Sequence, residues 1–326
     1  MVRSSLEYVK LGKSDLKVSK ICLGTWQLGS KEWGWGKGYY KDDAIEAVSR
    51  ALDLGVNFMD TAEIYGQGAS ERILGEAIRR RRNEVVIATK VAPWHLRYES
   101  VVKAADRSLA RLGVSEIDLY QIHFPNPLIP IRSTIRAMEK LVHDGKVRYI
   151  GVSNFSVKRL KQAQEAAQSS EIVSNQVKYS LIERKIVDDG LLQYSKENSI
   201  SILAYSPLAQ GVLAERSASS SIQLMNILFS PENHRRLEPL LQTMRSVASE
   251  RGKTVSEVAL NWLLKDENVI PIVGVKRKSH VEQNAGAIGW KLTQEEIGRI
   301  DDAFSHFKKE RFRSYLWMLP RLVSRG

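Results

Sequence analysis

The chain contains 326 residues, of which 43% are hydrophobic, so its length fits either two domains or one large barrel. No segment approaches the roughly 18 consecutive apolar residues of a membrane-spanning helix, so we expect no membrane span. The net charge of +12 would suit nucleic acid, but most basic residues alternate with acidic ones along predicted helix faces and no nucleic-acid-binding motif occurs, so we expect no nucleic-acid partner.

The N-terminal residues MVRSSLEYVK lack the apolar core of a signal peptide, so we expect a cytoplasmic protein. The only cysteine, Cys22, lies in the apolar stretch KICLG and is expected to be a small buried side chain. A single cysteine can form neither an internal disulfide nor a cysteine-based metal site. We therefore predict no metal.

After a predicted hairpin within residues 6–24, short apolar strands alternate with amphipathic helices. From the second strand to the seventh, strand ends lie about 30 residues apart, the length of one strand–helix unit, which implies parallel pairing. We predict an α/β fold: a (β/α)8 TIM barrel with an N-terminal β-hairpin and a C-terminal helix and tail, as a single domain over residues 1–326. The predicted strands are KICLG, VNFMD, VVIATK, IDLYQIH, VRYIGVS, IVSNQVKY, SILAYS and VIPIVGV.

The interval before the last strand is about twice as long as the others. We predict that residues 210–239 form an inserted loop and an extra helix over one mouth of the barrel, and that a long helical segment covers residues 232–265. An open doubly wound sheet is the alternative. Its dinucleotide fingerprint is missing, because GWGKGYY, from Gly34, does not have the required glycine spacing, and GTWQLGSK, from Gly24, lacks the ending of a phosphate loop.

Polar side chains follow six consecutive predicted strands. The carboxyl ends of the strands of such a barrel meet at one mouth, so we expect these side chains to lie together. Taken singly, Lys90 could be a surface lysine and His123 a buried histidine bonded to a carbonyl. Core packing, however, does not explain six such strand ends. The residues are Asp60, Lys90, His123, Ser153, Asn154, Asn175, Gln176, Tyr205 and Ser206.

Tyr65 follows Asp60 by five residues. A phenol has an ordinary pKa near 10, so at neutral pH it is a weak proton donor. An ammonium at about 4 Å could supply roughly 4 kcal/mol toward its ionisation, so we expect Lys90 to lower the pKa of Tyr65 against the effect of burial. Asp60 would keep Lys90 charged, and a neutral His123 would orient a substrate oxygen. These four residues are the predicted catalytic set of a site that donates a proton to a carbonyl.

The motifs around these residues resemble those of the aldo-keto reductases. DTAEIYG carries the aspartate and the tyrosine, ATK the lysine and QIH the histidine. LVHDGKVRYIGVSN is similar to the family's middle signature, and PIVGVKRKSHVEQNAGAIGW is similar to its C-terminal cofactor segment. The resemblance runs from about residue 6 to residue 304, which is nearly the whole chain.

The resemblance implies an enzyme that binds NADP(H) in an extended pose without a Rossmann domain and reversibly reduces aldehydes or ketones to alcohols. Hydride would pass from the nicotinamide to the carbonyl carbon while Tyr65 protonates the oxygen. Ser153, Asn154 and Gln176 would hold the carboxamide, and Tyr205 would stack on the nicotinamide ring. The further cofactor-binding residues implied are Thr25, Trp26, Ser206, Leu208, Gln210, Gly211 and Gly274.

The resemblance places the contacts to the 2'-phosphate and adenine within residues 275–284. Lys276 and Arg277 offer positive charge, and His280 falls near a helix N-terminus, which favours anions. Gln283 and Asn284 stand where the family often has Glu-Asn, so here a glutamine replaces an acid. The basic run KRKSH favours NADPH over NADH.

Trp26, Trp94 and Phe124 follow the first, third and fourth strands and are the predicted walls of a pocket for a small-molecule carbonyl substrate. The basic, aromatic tail at about residues 305–326 could cover this pocket, contact a second copy in a homo-oligomer or touch a membrane surface. A second function stays open at this point, because some relatives are cofactor-binding auxiliary or redox-sensing subunits with little turnover.

Overall fold

The computed structural model describes residues 7–310. At its start, β1 (Tyr8–Lys10) and β2 (Lys17–Ser19) pair antiparallel, which confirms the predicted hairpin. Leu11 and Leu16, in the connection between them, are buried in the cluster of side chains that fills the barrel. Gly12 donates its backbone N–H to Ser201 Oγ, at the first residue of a barrel strand, over 2.8 Å. The hairpin therefore closes the end of the barrel at which the strands begin.

Eight parallel strands form a closed barrel, which confirms the predicted (β/α)8 architecture. Each strand pairs with the next one along the chain, and the last strand pairs with the first. The strands are β3 (Cys22–Gly24), β4 (Phe58–Asp60), β5 (Val86–Val91), β6 (Ile117–Ile122), β7 (Val147–Ser153), β8 (Ile172–Lys178), β9 (Ser201–Tyr205) and β10 (Val269–Gly274).

Helices cover the outside of the barrel, and most of them bury one face, as the periodicity predicts, whereas every residue of the helix Val255–Leu263 is buried. They are α1 (Lys41–Asp53), α2 (Ala69–Ile78), α3 (Tyr98–Leu112), α4 (Ile131–His143), α5 (Val157–Ala166), α6 (Lys185–Asp188), α7 (Leu191–Glu197), α8 (Ser221–Leu224), α9 (Pro231–Arg251), α10 (Val255–Leu263), α11 (Lys278–Ala285) and α12 (Gln294–Ser305). Residues 7–310 also contain five short 3-10 turns, which are Lys31–Trp33, Tyr65–Gly68, Arg82–Glu84, Ala209–Ala214 and Ile227–Phe229.

The predicted helical segment over residues 232–265 is two helices rather than one. Gly252 ends α9 in the left-handed region, with φ of 60°. Thr254 then caps α10, because its side chain accepts from the backbone of Glu257 while the Glu257 carboxylate accepts in return. The prediction of an inserted loop and extra helix at residues 210–239 is confirmed, since α8 and the start of α9 lie there.

Some features are absent from the part of the chain that the structure describes. No helix within residues 7–310 is both long and apolar enough to span a bilayer. The same residues contain no group of three or more side chains arranged to hold a metal ion. Cys22 is fully buried, as predicted. The basic tail beyond residue 310 lies outside the described residues.

Close packing of α2 against α3 fixes the segment that follows Tyr65, and Gly75 permits it. A Cβ added at Gly75 would lie 2.2 Å from the carbonyl oxygen of Leu112. We expect Gly75→Ala to lower the free energy of unfolding by about 1–3 kcal/mol because the helices would have to move apart. The helix glycine Gly298 is the matched control, since its added Cβ would meet none of the described atoms within 4 Å. Gly298→Ala should raise stability by up to about 1 kcal/mol. Urea unfolding measures both changes, and an equal effect at the two positions would contradict the packing argument.

Candidate active site

The structure brings Asp60, Tyr65 and Lys90 together at the carboxyl ends of β4 and β5. Lys90 Nζ lies 2.6 Å from Asp60 Oδ1, and it donates to Thr61 O over 2.7 Å and to Tyr65 Oη over 3.2 Å. Lys90 is fully buried and Asp60 is nearly so. Three acceptors therefore surround the ammonium, which satisfies its three N–H groups inside the protein.

Tyr65 is held by a tight turn and by two rings. Gly66 has φ of 53°, and a Cβ there would lie 2.5 Å from the carbonyl oxygen of Gly29, so the turn approaches the backbone after β3 closely. Trp26 stacks on the phenol ring with centroids 5.8 Å apart, and His123 meets it edge-on at 5.6 Å. The phenol oxygen is thereby oriented toward Lys90.

Burial raises the pKa of Tyr65, and the favourable effect of the Lys90 ammonium does not offset it. The expected lowering of the Tyr65 pKa is therefore wrong in its net direction, although Lys90 acts in the expected sense. For Lys90, burial lowers the pKa, but attraction to Asp60 and to Tyr65 outweighs this and the pKa is raised. At neutral pH the site thus holds a protonated phenol beside a charged ammonium.

Two amides complete the surroundings of the Asp60 carboxylate. Gln176, in β8, donates its side-chain N–H to Asp60 Oδ2 over 2.7 Å. Gln121, in β6, donates to the same oxygen over 3.4 Å. These two N–H groups compensate in part for the removal of the carboxylate from water, so Asp60 is well placed to pair with Lys90.

His123 follows β6 and is neutral at physiological pH. Burial is the main cause that lowers the pKa of His123 to about 2, and repulsion by Lys90 adds to it. Its Nδ1 atom is buried and has no hydrogen-bond partner within residues 7–310. Phe124 stacks on the imidazole with ring centroids 5.0 Å apart, which fixes the ring beside Tyr65.

A cavity of about 1060 Å³ lies over this group and extends along the mouth of the barrel. Asp60, Tyr65 and His123 line one end of it. Most residues that the resemblance assigns to cofactor and substrate also line it, and so they share one continuous space. They are Trp26, Phe124, Ser153, Asn154, Gln176, Tyr205, Ser206, Leu208, Gln210, Gly211, Gly274, Lys276, Arg277, His280 and Gln283.

Three of the residues predicted to contact cofactor or substrate are not part of the cavity wall, and neither is the catalytic candidate Lys90, which is buried beneath Tyr65. Thr25 is buried and turns its hydroxyl to the carbonyl oxygen of Asp60, at 2.9 Å, and to Ser70. Asn284 is buried within α11. Trp94 is 63% exposed and lies edge-on to His95, which binds Glu63. Sequence position placed these residues near the mouth, but side-chain direction takes them away from it.

Asn154 and Tyr205 form a fixed polar pair next to His123. Asn154 has φ of 63° and donates from Nδ2 to the carbonyl oxygen of His123 over 3.1 Å and to Ser153 Oγ over 2.9 Å. Tyr205 Oη donates to Asn154 Oδ1 over 3.1 Å. Burial is the main cause that raises the pKa of Tyr205 to about 12, so its phenol is a hydrogen-bond donor at neutral pH.

A cluster of cations lines the opposite end of the cavity. It consists of Lys276, Arg277 and Arg216, and within residues 7–310 none of them pairs with a carboxylate. Burial, and then repulsion by Arg216 and Arg277, lowers the pKa of Lys276. Burial, and then the three cations, lowers the pKa of His280 to about 4. Mutual repulsion among unpaired cations favours an anionic ligand at this end.

Sequence reasoning did not identify Arg216. It lies in the insertion after β9, and its guanidinium donates to Gln283 Oε1 over 3.3 Å, which joins the insertion to α11. The sequence feature that could have identified Arg216 was its place within residues 210–239, which were predicted to lie over the mouth of the barrel. The cavity walls Gln27, Glu32 and Lys37, in the loop between β3 and α1, were also not predicted as site residues.

Comparison with known proteins assigns the family. Residues 20–304 match the model of the Aldo/keto reductase family. An uncharacterized oxidoreductase of Mycobacterium tuberculosis is 41% identical, and the match covers 90% of this chain and 91% of that protein. A Schizosaccharomyces pombe protein with the provisional name voltage-gated potassium channel subunit beta is 31% identical over 90% of this chain and 91% of its own.

A solved structure shows the same likeness in three dimensions. The aldo-keto reductase of Klebsiella pneumoniae in complex with NADPH has 31% identity and a TM-score of 0.76, and the match covers 92% of this chain and 95% of that one. The barrel with its N-terminal hairpin, the motifs on its strand ends and this similarity over nearly the whole chain agree with one another. The chain belongs to the aldo/keto reductase family of oxidoreductases.

Proposed function

We propose that this protein is an NADP(H)-dependent carbonyl reductase that converts aldehydes or ketones to alcohols, reversibly, with Tyr65 as the proton donor. One observation carries the proposal: the hydroxyl of Tyr65 lies 3.2 Å from Nζ of Lys90, in the buried Lys90–Asp60 ion pair, at the wall of a cavity whose far end carries cations without a carboxylate partner within residues 7–310. Proton donation and the binding of an anionic cofactor are thus combined in one space.

The residues present fit a dinucleotide with a nicotinamide at one end and a 2'-phosphate at the other. Ser153, Asn154 and Gln176 would hold the nicotinamide carboxamide, because amide side chains pair with an amide as donor and acceptor. Gln176 uses its N–H on Asp60 and offers its carbonyl oxygen. Tyr205 would lie against the nicotinamide ring. When bound, NADPH supplies the hydride.

At the other end Lys276, Arg277 and Arg216 would bind the phosphate. Lysine and arginine donors form charge-assisted hydrogen bonds with phosphate oxygens, and the phosphate charge would relieve the repulsion among them. The proposal is also supported by the NADPH complex of the structurally similar Klebsiella pneumoniae protein.

In the reduction, Tyr65 would transfer its hydroxyl proton to the carbonyl oxygen. The resulting phenolate would be stabilised by Lys90, whose charge Asp60 maintains. His123 is neutral and would donate one ring N–H to the same oxygen, which orients the carbonyl group. The raised pKa of Tyr65 keeps the proton on the phenol until the oxygen becomes basic.

The substrate would lie between Trp26 and Phe124, which line the cavity beside Tyr65. These aromatic walls suit small aldehydes and ketones with an apolar body. Trp94, which does not line the cavity, is not part of this proposed pocket.

A cofactor-binding auxiliary role is the second candidate function. The similarity to the fission yeast protein with a channel-subunit name favours it. Turnover distinguishes the two roles, because an auxiliary subunit would bind NADPH but oxidise it only slowly with every carbonyl offered.

Tyr65→Phe should reduce kcat by about 100-fold or more, because it removes the proposed acid, while NADPH affinity stays unchanged. NADPH oxidation with aromatic, aliphatic and sugar aldehydes measures turnover, and nucleotide fluorescence measures affinity. Tyr8→Phe, at a half-exposed hairpin residue whose hydroxyl bonds Gly55 O, is the matched control and should behave like the wild-type protein. Equal rates for the wild-type and Tyr65→Phe proteins would refute the assigned donor.

Arg216→Ala should weaken NADPH binding roughly 10- to 150-fold and leave NADH binding unchanged, since one charge-assisted hydrogen bond to a phosphate contributes roughly 1.5–3 kcal/mol. Titration of both nucleotides against nucleotide fluorescence measures the ratio. Arg299→Ala removes an exposed arginine that pairs with Glu250 and serves as control. If NADPH and NADH lost affinity equally, Arg216 would not contact the 2'-phosphate.

Because of His123, we expect the free energy of unfolding to decrease as the pH is lowered below about 6.5. Its folded-state pKa, about 2, lies below the ordinary value, so the unfolded chain takes up this proton first and stability is lost as the pH drops. The contribution is at most about 1.4 kcal/mol per pH unit. His123→Gln should show a smaller loss of unfolding free energy between pH 7 and pH 5 in urea. His143→Gln, whose side chain is 87% exposed, should keep the wild-type slope. An unchanged slope in His123→Gln would mean that the imidazole is charged in the folded protein.

A further inference from the structure

The loop between β3 and α1 crosses the cavity between the two segments that flank it. We call residues 31–39 the strap. Ser221 Oγ, in the insertion, donates to the strap carbonyl oxygen of Glu32 over 3.0 Å. On the other side, Lys276 Nζ donates to Trp33 O over 2.7 Å and Arg277 donates to Gly38 O. The strap is thus bonded on both sides of the groove that it covers.

The strap forms part of the cavity wall rather than an outer loop. Its cavity-lining residues are Glu32, Trp33, Gly34, Lys37, Gly38 and Tyr39. Trp33 and Tyr39 are 5% and 4% exposed, so the strap has buried anchors of its own. Tyr39 Oη donates to Gln27 O over 2.8 Å, which ties the end of the strap to the segment that precedes it.

Three glycines give the strap a backbone conformation that other residues rarely adopt. Gly34, Gly36 and Gly38 have φ of 88°, 79° and 132°. A Cβ added at any of them would meet none of the described atoms within 4 Å. These glycines therefore serve backbone conformation and not close packing, which is the character expected of hinge positions.

The two cations that bond the strap, Lys276 and Arg277, are among the three that the proposed function assigns to the 2'-phosphate. An ammonium carries three N–H donors and a guanidinium carries five. The structure shows Lys276 and Arg277 each making one hydrogen bond to a strap carbonyl. Donors therefore remain for a phosphate while the strap stays bonded. A bound phosphate would strengthen the assembly, because it neutralises the repulsion between Lys276 and Arg277.

We propose that the strap is part of the cofactor site: Lys276 and Arg277 hold it by its carbonyl oxygens and bind the 2'-phosphate with their other N–H groups, so the strap closes over the bound dinucleotide and must open for release. The inference rests on the proposed function for the identity of the ligand. It assigns to Lys276 and Arg277 a second role, which does not require the phosphate.

The strap also reaches the catalytic end of the cavity. Trp26 Nε1 donates to Glu32 Oε1 over 3.3 Å, and the Trp26 ring meets Trp33 edge-on at 5.3 Å. The same indole stacks on Tyr65. Closure of the strap at the phosphate end would therefore position the indole beside the proton donor, and Trp33 is a positioning residue in this sense.

The first experiment needs no cofactor. Hydrogen exchange of the backbone amides of residues 31–39 is measured in the cofactor-free protein. Lys276→Ala and Lys276→Met, which keeps most of the aliphatic stem, should both speed this exchange about tenfold or more because the bond to Trp33 O is lost. Lys278→Ala is the matched control, since Lys278 pairs with Glu46, which lies in α1 and not in the strap. Arg216→Ala, which bonds Gln283, should also leave strap exchange unchanged. Unchanged exchange in both Lys276 variants would overturn the proposal.

The second experiment uses NADH, which lacks the 2'-phosphate. Stopped-flow fluorescence gives the dissociation rates of NADH and NADPH from the wild-type, Lys276→Ala and Lys278→Ala proteins. If Lys276 holds the strap, Lys276→Ala speeds the release of both nucleotides about tenfold. If Lys276 only contacts the phosphate, NADH release is unchanged and the proposal fails. If the wild-type protein bound neither nucleotide, both the proposed function and the role of the strap in release would be overturned. If it bound NADPH selectively but Lys276→Ala left the NADH release rate unaltered, only the role of the strap would be overturned.

Discussion

The buried ion pair between Lys90 and Asp60 is the interaction on which the site depends. Moving an ammonium and a carboxylate out of water costs several kcal/mol for each ion, and only close geometry with further hydrogen bonds compensates. Here Thr61 O and Tyr65 Oη take the other N–H groups of Lys90, while Gln176 and Gln121 donate to Asp60. The closed barrel provides that geometry, because neighbouring parallel strands end side by side. The phenol of Tyr65 accepts a hydrogen bond from this ion pair, which is already held in place by the other contacts.

Burial acts on each titratable group of the site in a different way. It keeps Tyr65 protonated and His123 neutral, whereas Asp60 overcomes its effect on Lys90. The catalytic end of the cavity therefore holds two neutral donors beside a balanced pair. The far end holds cations without carboxylate partners within residues 7–310, so the cavity has a direction: an anionic group is favoured at one end and an uncharged carbonyl at the other. This difference supports the orientation proposed for the cofactor.

Loops from distant parts of the chain build the far end of the cavity. The strap follows β3, Arg216 follows β9, and Lys276 follows β10. Because β10 lies between β9 and β3 in the closed barrel, these three connections are neighbours in space. A barrel can thus enclose an extended ligand with loops alone and needs no separate dinucleotide-binding domain. The bonds of Lys276 and Arg277 to the strap are a direct result of this closure.

The sequence by itself determined the eight strands, the hairpin, the alternating helices and the strand-end positions of Asp60, Lys90 and His123, since local periodicity and the order of residues along a strand are local properties of the chain. The break between α9 and α10 was missed because apolar periodicity continues across the glycine that ends the first helix. Only the tertiary structure decided the net direction of the Tyr65 pKa, the outward position of Trp94 and the gathering of Arg216 with Lys276. Each of these depends on burial and side-chain direction, which are set by residues far away in the chain and brought near only when the barrel closes.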